Sequence, residues 1–234
     1  MAKFEVVEGP PGQGKSLSTA RTTRELLVRN KKWHEKGYPL RPVVANIKFS
    51  TEFETEWGEY LKYWINTSEL VKLRDCDIVW DEIATELDSR NWPNLDVETR
   101  RFLSQYRKRG IEIYANTQDF SMIDNRARLM ITAVSSLTKA LGSPDPSATK
   151  PPVEHPWGLI LTWNVLNHKE VDPDKKRVGW IPGFFFIRKR DIEIYDTTQD
   201  IQPGELPPLR HVVRKCEHFA DPGHSCKYCK VVHL

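Results

Sequence analysis

An α/β architecture, a parallel central sheet with helices on both faces, is what this 234-residue sequence predicts. Three observations predict it. Short apolar runs alternate with amphipathic, helix-period segments. A glycine-rich turn, "EGPPGQGKS" at 8–16, stands between the first apolar run and the first helical one. A short strand-like run at 76–82, "CDIVWDE", ends in two acids.

Each element follows in order. "KFEVVE" (3–8) reads as a short buried strand, and a helix is expected from Ser16 to about Lys32, with Leu17, Ala20, Leu27 and Val28 near one face. "VVANIKF" (43–49) reads as a second strand. "STEFETEWGEYLKYWI" (50–65) reads as a helix opened by a Ser or Thr cap, and "TSELVKL" as a short helix. "DIVWD" is a third strand, 95–110 a helix stopped by Gly110, and "IEIYANT" (111–117) a fourth strand. Pro144, Pro146, Pro151, Pro152 and Pro156 then force a loop at 142–157. Two apolar segments, "GLILTWNVLNH" and "GWIPGFFFIRK", read as an additional hairpin over 158–190 whose tip carries Lys175, Lys176 and Arg177. The expected division is a domain over 1–205 and a Cys/His-rich unit over 206–234.

Composition is that of a globular chain, 39% hydrophobic and 29% charged. The net charge of +3 permits contact with a polyanion without arguing for it. No run approaches the ~18 apolar residues of a membrane span, and "MAKFEVVEG" lacks the apolar stretch of a secretory signal. A cytoplasmic protein is expected.

Gly9, Gly12, Gly14, Lys15 and Ser16 fit the pattern G-x-x-x-x-G-K-[ST]. Consecutive N–H groups wrap a phosphate chain only where no Cβ blocks the approach, and the following helix offers unpaired donors and a positive dipole end. Gly9, Gly12, Gln13, Gly14, Lys15, Ser16 and Leu17 therefore form a candidate nucleotide cradle. Lys15 would reach the β- and γ-phosphates, and Ser16 would give a hydroxyl to Mg²⁺. The alternative, a flexible turn with an incidental lysine, does not require the strand and the helix that flank this one.

In a parallel sheet, a carboxylate at a strand's C-terminal end faces the ligand crevice. Asp81 would hold Mg²⁺, through water, and Glu82 would orient the attacking water. Gln118, at the end of the fourth strand, would contact the γ-phosphate or that water. Thr117 stands where a guanine pocket would carry lysine, so ATP is the expected nucleotide.

These stretches, in order, resemble the FtsK–HerA-type P-loop ATPases, and within them the zonula-occludens-toxin-like proteins and the genome-packaging ATPases of tailless double-stranded DNA viruses. The resemblance is carried by "GPPGQGKS", "VVANI", "IVWDEIATELDSR", "QYRKRGIEIYANTQDFSMIDNRARLM" and "FFIRKRDIEIYDTTQ". It implies a RecA-like fold, a homo-oligomeric ring of about six subunits, and ATP-driven translocation of DNA into a capsid, in the host cytoplasm or on the virion. A filamentous-phage-type extrusion ATPase is the other reading, although the toxin-like proteins carry a membrane-spanning segment that this sequence lacks. A P-loop small-molecule kinase or a nucleotide-dependent switch are further alternatives. The family pattern matches Arg90, Arg107, Lys108, Arg109, Gly110, Gln118, Ile123, Asp124 and Arg128. Arg90, Arg109 and Arg128 are candidate arginine fingers acting on a neighbouring subunit.

A translocase grips phosphates without reading bases. Lys175, Lys176 and Arg177, and the loop "SPDPSATK", are candidate DNA contacts. The tail holds Cys216, His218, Cys226 and Cys229, two closely spaced pairs suited to structural, tetrahedral Zn²⁺, with His224 and His233 as rival fourth ligands. Such a tail could dock a capsid or membrane vertex protein.

Overall fold

The computed structural model describes residues 3–142, 158–166 and 180–194. The Pro-rich loop, the hairpin tip with Lys175, Lys176 and Arg177, and the whole Cys/His tail lie outside the described residues.

Strand β1 (Phe4–Glu8) leads through the glycine loop into helix α1 (Lys15–Glu35). Strand β2 (Val43–Ala45), helix α2 (Thr51–Trp57), strand β3 (Leu61–Tyr63) and helix α3 (Thr67–Leu70) follow. Then come β4 (Asp77–Trp80), α4 (Ala84–Leu87), α5 (Val97–Gln105), β5 (Glu112–Thr117) and α6 (Asn125–Arg128). Strands β6 (Ala133–Gly142), β7 (Gly158–Leu166) and β8 (Trp180–Ile187) precede a last turn of helix, α7 (Lys189–Ile192).

The eight strands form one sheet in the order β3-β2-β4-β5-β1-β6-β7-β8. Pairing is parallel from β3 to β6, and antiparallel between β6 and β7 and between β7 and β8. The expected sheet is therefore corrected: it is parallel-rich but mixed. The cause is β6, which the sequence reading missed and from which the antiparallel pair extends.

The parallel part is sandwiched. On one face Phe4, Val6, Ile78, Trp80, Ile113 and Val134 pack with Leu70, Leu87, Phe102 and Leu103 from the helices. On the other, Val43, Ala45, Leu61, Tyr63 and Val79 pack with Ala20, Leu26 and Leu27 of α1 and Phe53 and Trp57 of α2. Trp64 meets Trp80 edge-on at 5.1 Å between ring centroids, a geometry that adds about 1 kcal/mol to the area they bury.

Two local readings change. The inward stripe of α1 is Thr19, Ala20, Thr23, Leu26, Leu27 and Asn30, whereas Val28 is 36% exposed. The stretch 50–65 is not one helix. Ser50 caps α2 by accepting from the Phe53 N–H, Gly58 breaks it at φ 41°, and Leu61–Tyr63 turns back to pair with β2. The expected stop holds, since Gly110 at φ 68° ends the turn beyond α5. The start of α5 is set by Asp96, which caps it through the N–H groups of Glu98 and Thr99.

Candidate functional site

The site sits where β1, β5 and β4, three neighbours in the sheet, all end. Glu8 pairs with Thr117 at the close of β1 and β5, and Trp80 with Ala115 near the close of β4. The next residues of each strand are the glycine loop, Gln118 and Asp81. One edge of the sheet thus gathers segments far apart in sequence, at the crevice where parallel sheets take ligands.

Gly12 and Gly14 adopt φ of 77° and 90°, values that carry a steric penalty for any residue with a Cβ. At Gly14 the packing forbids one as well, since a Cβ would stand 2.3 Å from Cδ1 of Ile160, which is fully buried on β7. No side chain caps α1, so its first N–H groups are left to a ligand. Lys15, 8% exposed, donates from Nζ to the carbonyl oxygens of Gly9 at 2.7 Å and Pro10 at 3.3 Å, inside the curve of the loop. Ser16 and Leu17 follow in the first turn of α1. The Gln13 side chain points elsewhere: its Oε1 accepts from the Lys139 N–H of β6 at 2.7 Å. Gln13 therefore braces the loop against the sheet through its side-chain oxygen.

Across the crevice, the turn 81–83 is held from two strands. Asn46, just past β2, accepts from the Asp81 N–H at 2.6 Å and donates to the Asp81 carbonyl at 3.1 Å. Asn116 of β5 accepts from the Glu82 N–H at 2.8 Å and donates to the Asp81 carboxylate. Its main-chain carbonyl takes the Ile83 N–H at 2.9 Å. Held this way, Glu82 adopts φ 48°, a left-handed conformation rare outside glycine, asparagine and aspartate.

Electrostatics couple the two sides. Burial pushes the Asp81 carboxyl up, opposed by the Asn116 hydrogen bond and by the charge of Lys15. Burial also pushes Glu82 up, and Asp81 adds to this, while Lys15 and a hydrogen bond from Gln118 oppose it. Gln118, exposed at the end of β5, thus lies on the Glu82 side of the crevice. Beneath it, Glu8 accepts from the Phe120 N–H at 3.2 Å and from Ser136 Oγ, tying the Gln118 segment to the base of the loop.

The three arginines do not converge. Arg90 is exposed past α4. Arg128 lies over Phe120, 5.9 Å from the ring centroid, and its buried Nε has no hydrogen-bond partner among the described residues. Arg109 precedes β5 and so lies at the far end of the sheet from the loop. It donates to the Val71 carbonyl and covers Phe102. A cavity of about 350 Å³ also lies away from this crevice, along the flank of α1, between Ser18, Thr22 and Glu25 of the helix and Glu5 and Tyr114 of the sheet.

Mg²⁺ is a hard cation that takes oxygen donors and keeps part of its water shell. The hydroxyl of Ser16 and the carboxylate of Asp81 fit it. Among the described residues no group of three His, Cys, Asp or Glu is placed to hold a metal ion, and the predicted zinc ligands fall outside them. No helix among the described residues is long and apolar enough to cross a membrane.

Asn46 and Asn116 were missed by the sequence reading. The available signal was the run of polar residues Asn116, Thr117 and Gln118 that closes the fourth strand.

No family model matches the chain, and no curated protein matches it. Solved structures to which it is similar include the N-terminal domain of zonular occludens toxin from Neisseria meningitidis. That likeness has 18% identity and a TM-score of 0.49, and covers 84% of this chain and 100% of that one. The genome packaging NTPase B204 from Sulfolobus turreted icosahedral virus 2, in complex with AMP, is 10% identical with a TM-score of 0.47, over 73% of this chain and 95% of that one. Flagellar accessory protein FlaH from Methanocaldococcus jannaschii is 12% identical with a TM-score of 0.41, over 77% and 89%.

Proposed function

We propose that this chain is an ATPase that binds Mg·ATP in the glycine loop and uses hydrolysis to move DNA through a homo-oligomeric ring, as a viral genome-packaging motor does. The observation that carries the reading is the convergence, at the C-terminal ends of β1, β5 and β4, of a glycine-rich loop around Lys15 with the braced pair Asp81 and Glu82.

The main-chain N–H groups from Gly12 to Leu17 would cradle the phosphates, with Lys15 turning from the Gly9 and Pro10 carbonyls to the phosphate oxygens. Ser16 and Asp81 would hold Mg²⁺, which when bound neutralises charge building on the phosphoryl oxygens. Glu82 would position the attacking water and take its proton, a role helped by burial that makes the carboxylate more basic. Gln118, on the Glu82 side of the crevice, would hold the same water or the γ-phosphate. Arg90, Arg109 or Arg128 would serve a neighbour's site.

Assembly is supported by surface composition. Phe184 and Phe186 on β8 are 67% and 60% exposed and meet edge-on, 5.9 Å between ring centroids, on one face of the antiparallel extension. Exposed aromatic pairs of this kind mark association surfaces. Lys175, Lys176 and Arg177 would grip DNA phosphates, and Cys216, His218, Cys226 and Cys229 would bind structural zinc.

The test is phosphate release with no DNA, single-stranded DNA and double-stranded DNA, alongside mass in solution with and without ATP. The reading expects hydrolysis stimulated several-fold by double-stranded DNA and a higher mass with ATP. Stimulation by single strands alone selects the extrusion reading. Transfer to a nucleoside monophosphate selects a kinase, and binding without turnover selects a switch.

A further inference from the structure

We infer that Asn116 is the positioning residue that sets Asp81 and Glu82 for the reaction, an inference that rests on the hydrolase reading above. Asn116 is 1% exposed and stands second from the end of β5, the strand between β1 and β4. Its carboxamide therefore lies between the helix that follows the loop and the turn that carries the acids.

All three hydrogen-bonding positions are directed. Nδ2 donates to Thr19 Oγ1 at 2.8 Å and to Asp81 Oδ1, and Oδ1 accepts from the Glu82 N–H at 2.8 Å. The orientation of the amide is dictated by chemistry. A peptide N–H only donates and an ionised carboxylate only accepts, so a flipped amide would lose both contacts.

Three consequences follow. Holding Oδ1 of Asp81 decides which carboxylate oxygen is turned to a cation. Holding the Glu82 N–H, with the Ile83 N–H bound to the same residue's carbonyl, maintains the left-handed φ of 48° that aims the Glu82 side chain at Gln118. The bond to Thr19, one turn beyond Ser16 on α1, locks the acidic pair to the helix that begins at the phosphate loop. Asn46 differs, since it touches Asp81 only through main-chain atoms.

The experiment compares the wild type with Asn116→Ala and Thr19→Val. The readouts are turnover, binding of a fluorescent ATP analogue in chelator and in titrated Mg²⁺, and thermal unfolding. For Asn116→Ala the expected result is a fall in kcat of at least 100-fold. Analogue affinity in chelator should stay within threefold, and the Mg²⁺ midpoint for the Mg-dependent gain in affinity should rise at least tenfold. A merely structural role would lower the melting temperature and leave that midpoint unmoved. Turnover within threefold of wild type, or an unmoved Mg²⁺ midpoint, overturns the inference. Should Asn116→Ala not fold, Thr19→Val decides: a kcat lowered about tenfold at unchanged KM supports the relay, and an unchanged kcat overturns it. A wild type that does not hydrolyse ATP overturns the hydrolase reading and this inference together. Hydrolysis indifferent to Asn116 overturns this inference alone.

Discussion

Asp81 is a carboxylate kept where its charge is disfavoured. Burial raises its pKa, and the opposing pull of Asn116 and Lys15 does not restore the ordinary value. A raised carboxylate pKa in the folded state means that the folded form binds a proton more tightly than the unfolded one. The associated stability is present at acid pH, below the unfolded carboxylate range, and is lost as pH rises through the folded pKa. Asp81→Asn should therefore raise the melting temperature of the nucleotide-free protein at neutral pH while abolishing hydrolysis. The advantage should shrink as pH falls and the wild-type carboxyl protonates. A melting temperature at neutral pH equal to or below that of wild type contradicts this. Lys15, Ser16, Asp81 and Glu82 stood out in the sequence because their residue types and flanking elements are tied to local spacing. Asn116 and Asn46 did not, because their partners are 34 and 35 residues away or more and meet them only once β2, β4 and β5 lie side by side.

Helix α1 is fastened at both ends. Asp77, at the start of β4, has a fully buried side chain that accepts from Arg29 at 2.7 Å and Asn30 at 2.7 Å, both on α1, and from Arg41. Arg41 also donates to the carbonyls of Gly110 and Cys76. One carboxylate thus joins α1, the approach to β2 and the entry to β5. Removing it leaves Arg41 with main-chain carbonyls alone and Arg29 with Glu112 as its remaining carboxylate. Asp77→Ala should cost about 3 kcal/mol, the low end for a broken buried pair, because Arg29 keeps 29% exposure. Urea unfolding of the nucleotide-free protein measures this, and a loss under about 1 kcal/mol would show the cluster to be solvent-screened. Element legibility followed pattern strength. The strands β1, β4 and β5 are apolar runs and were read within a residue or two. Strand β3 hid inside a helical rhythm, because Phe53, Trp57 and Leu61 repeat every four residues across Gly58. Strand β6 was invisible because its buried Val134 and Leu137 project from opposite faces among Ser and Thr and so give neither period cleanly.

At the scale of the whole molecule, the sheet divides into a sandwiched parallel half and an antiparallel extension that braces the site. Ile160 of β7 closes against Gly14, and Phe185 of β8 lies under Arg21 of α1, 5.0 Å from its guanidinium carbon. Arg24 of α1 pairs with the buried Asp191 of α7. The extension is therefore a wall of the glycine loop as well as a surface bearing Phe184 and Phe186. Its two outer strands were legible as an apolar hairpin. Its role was not, because it depends on β6 lying beside β1. The central claim, that the loop around Lys15 takes up a nucleotide's phosphates against Asp81, is tested most directly by calorimetric titration of Mg·ATP into the wild type and Lys15→Ala. The account predicts uptake of about one nucleotide per chain by the wild type and affinity at least 100-fold weaker in Lys15→Ala, close to 3 kcal/mol at 1.4 kcal/mol per tenfold. A wild type that takes up no Mg·ATP, or a Lys15→Ala protein that binds it as tightly, would contradict it.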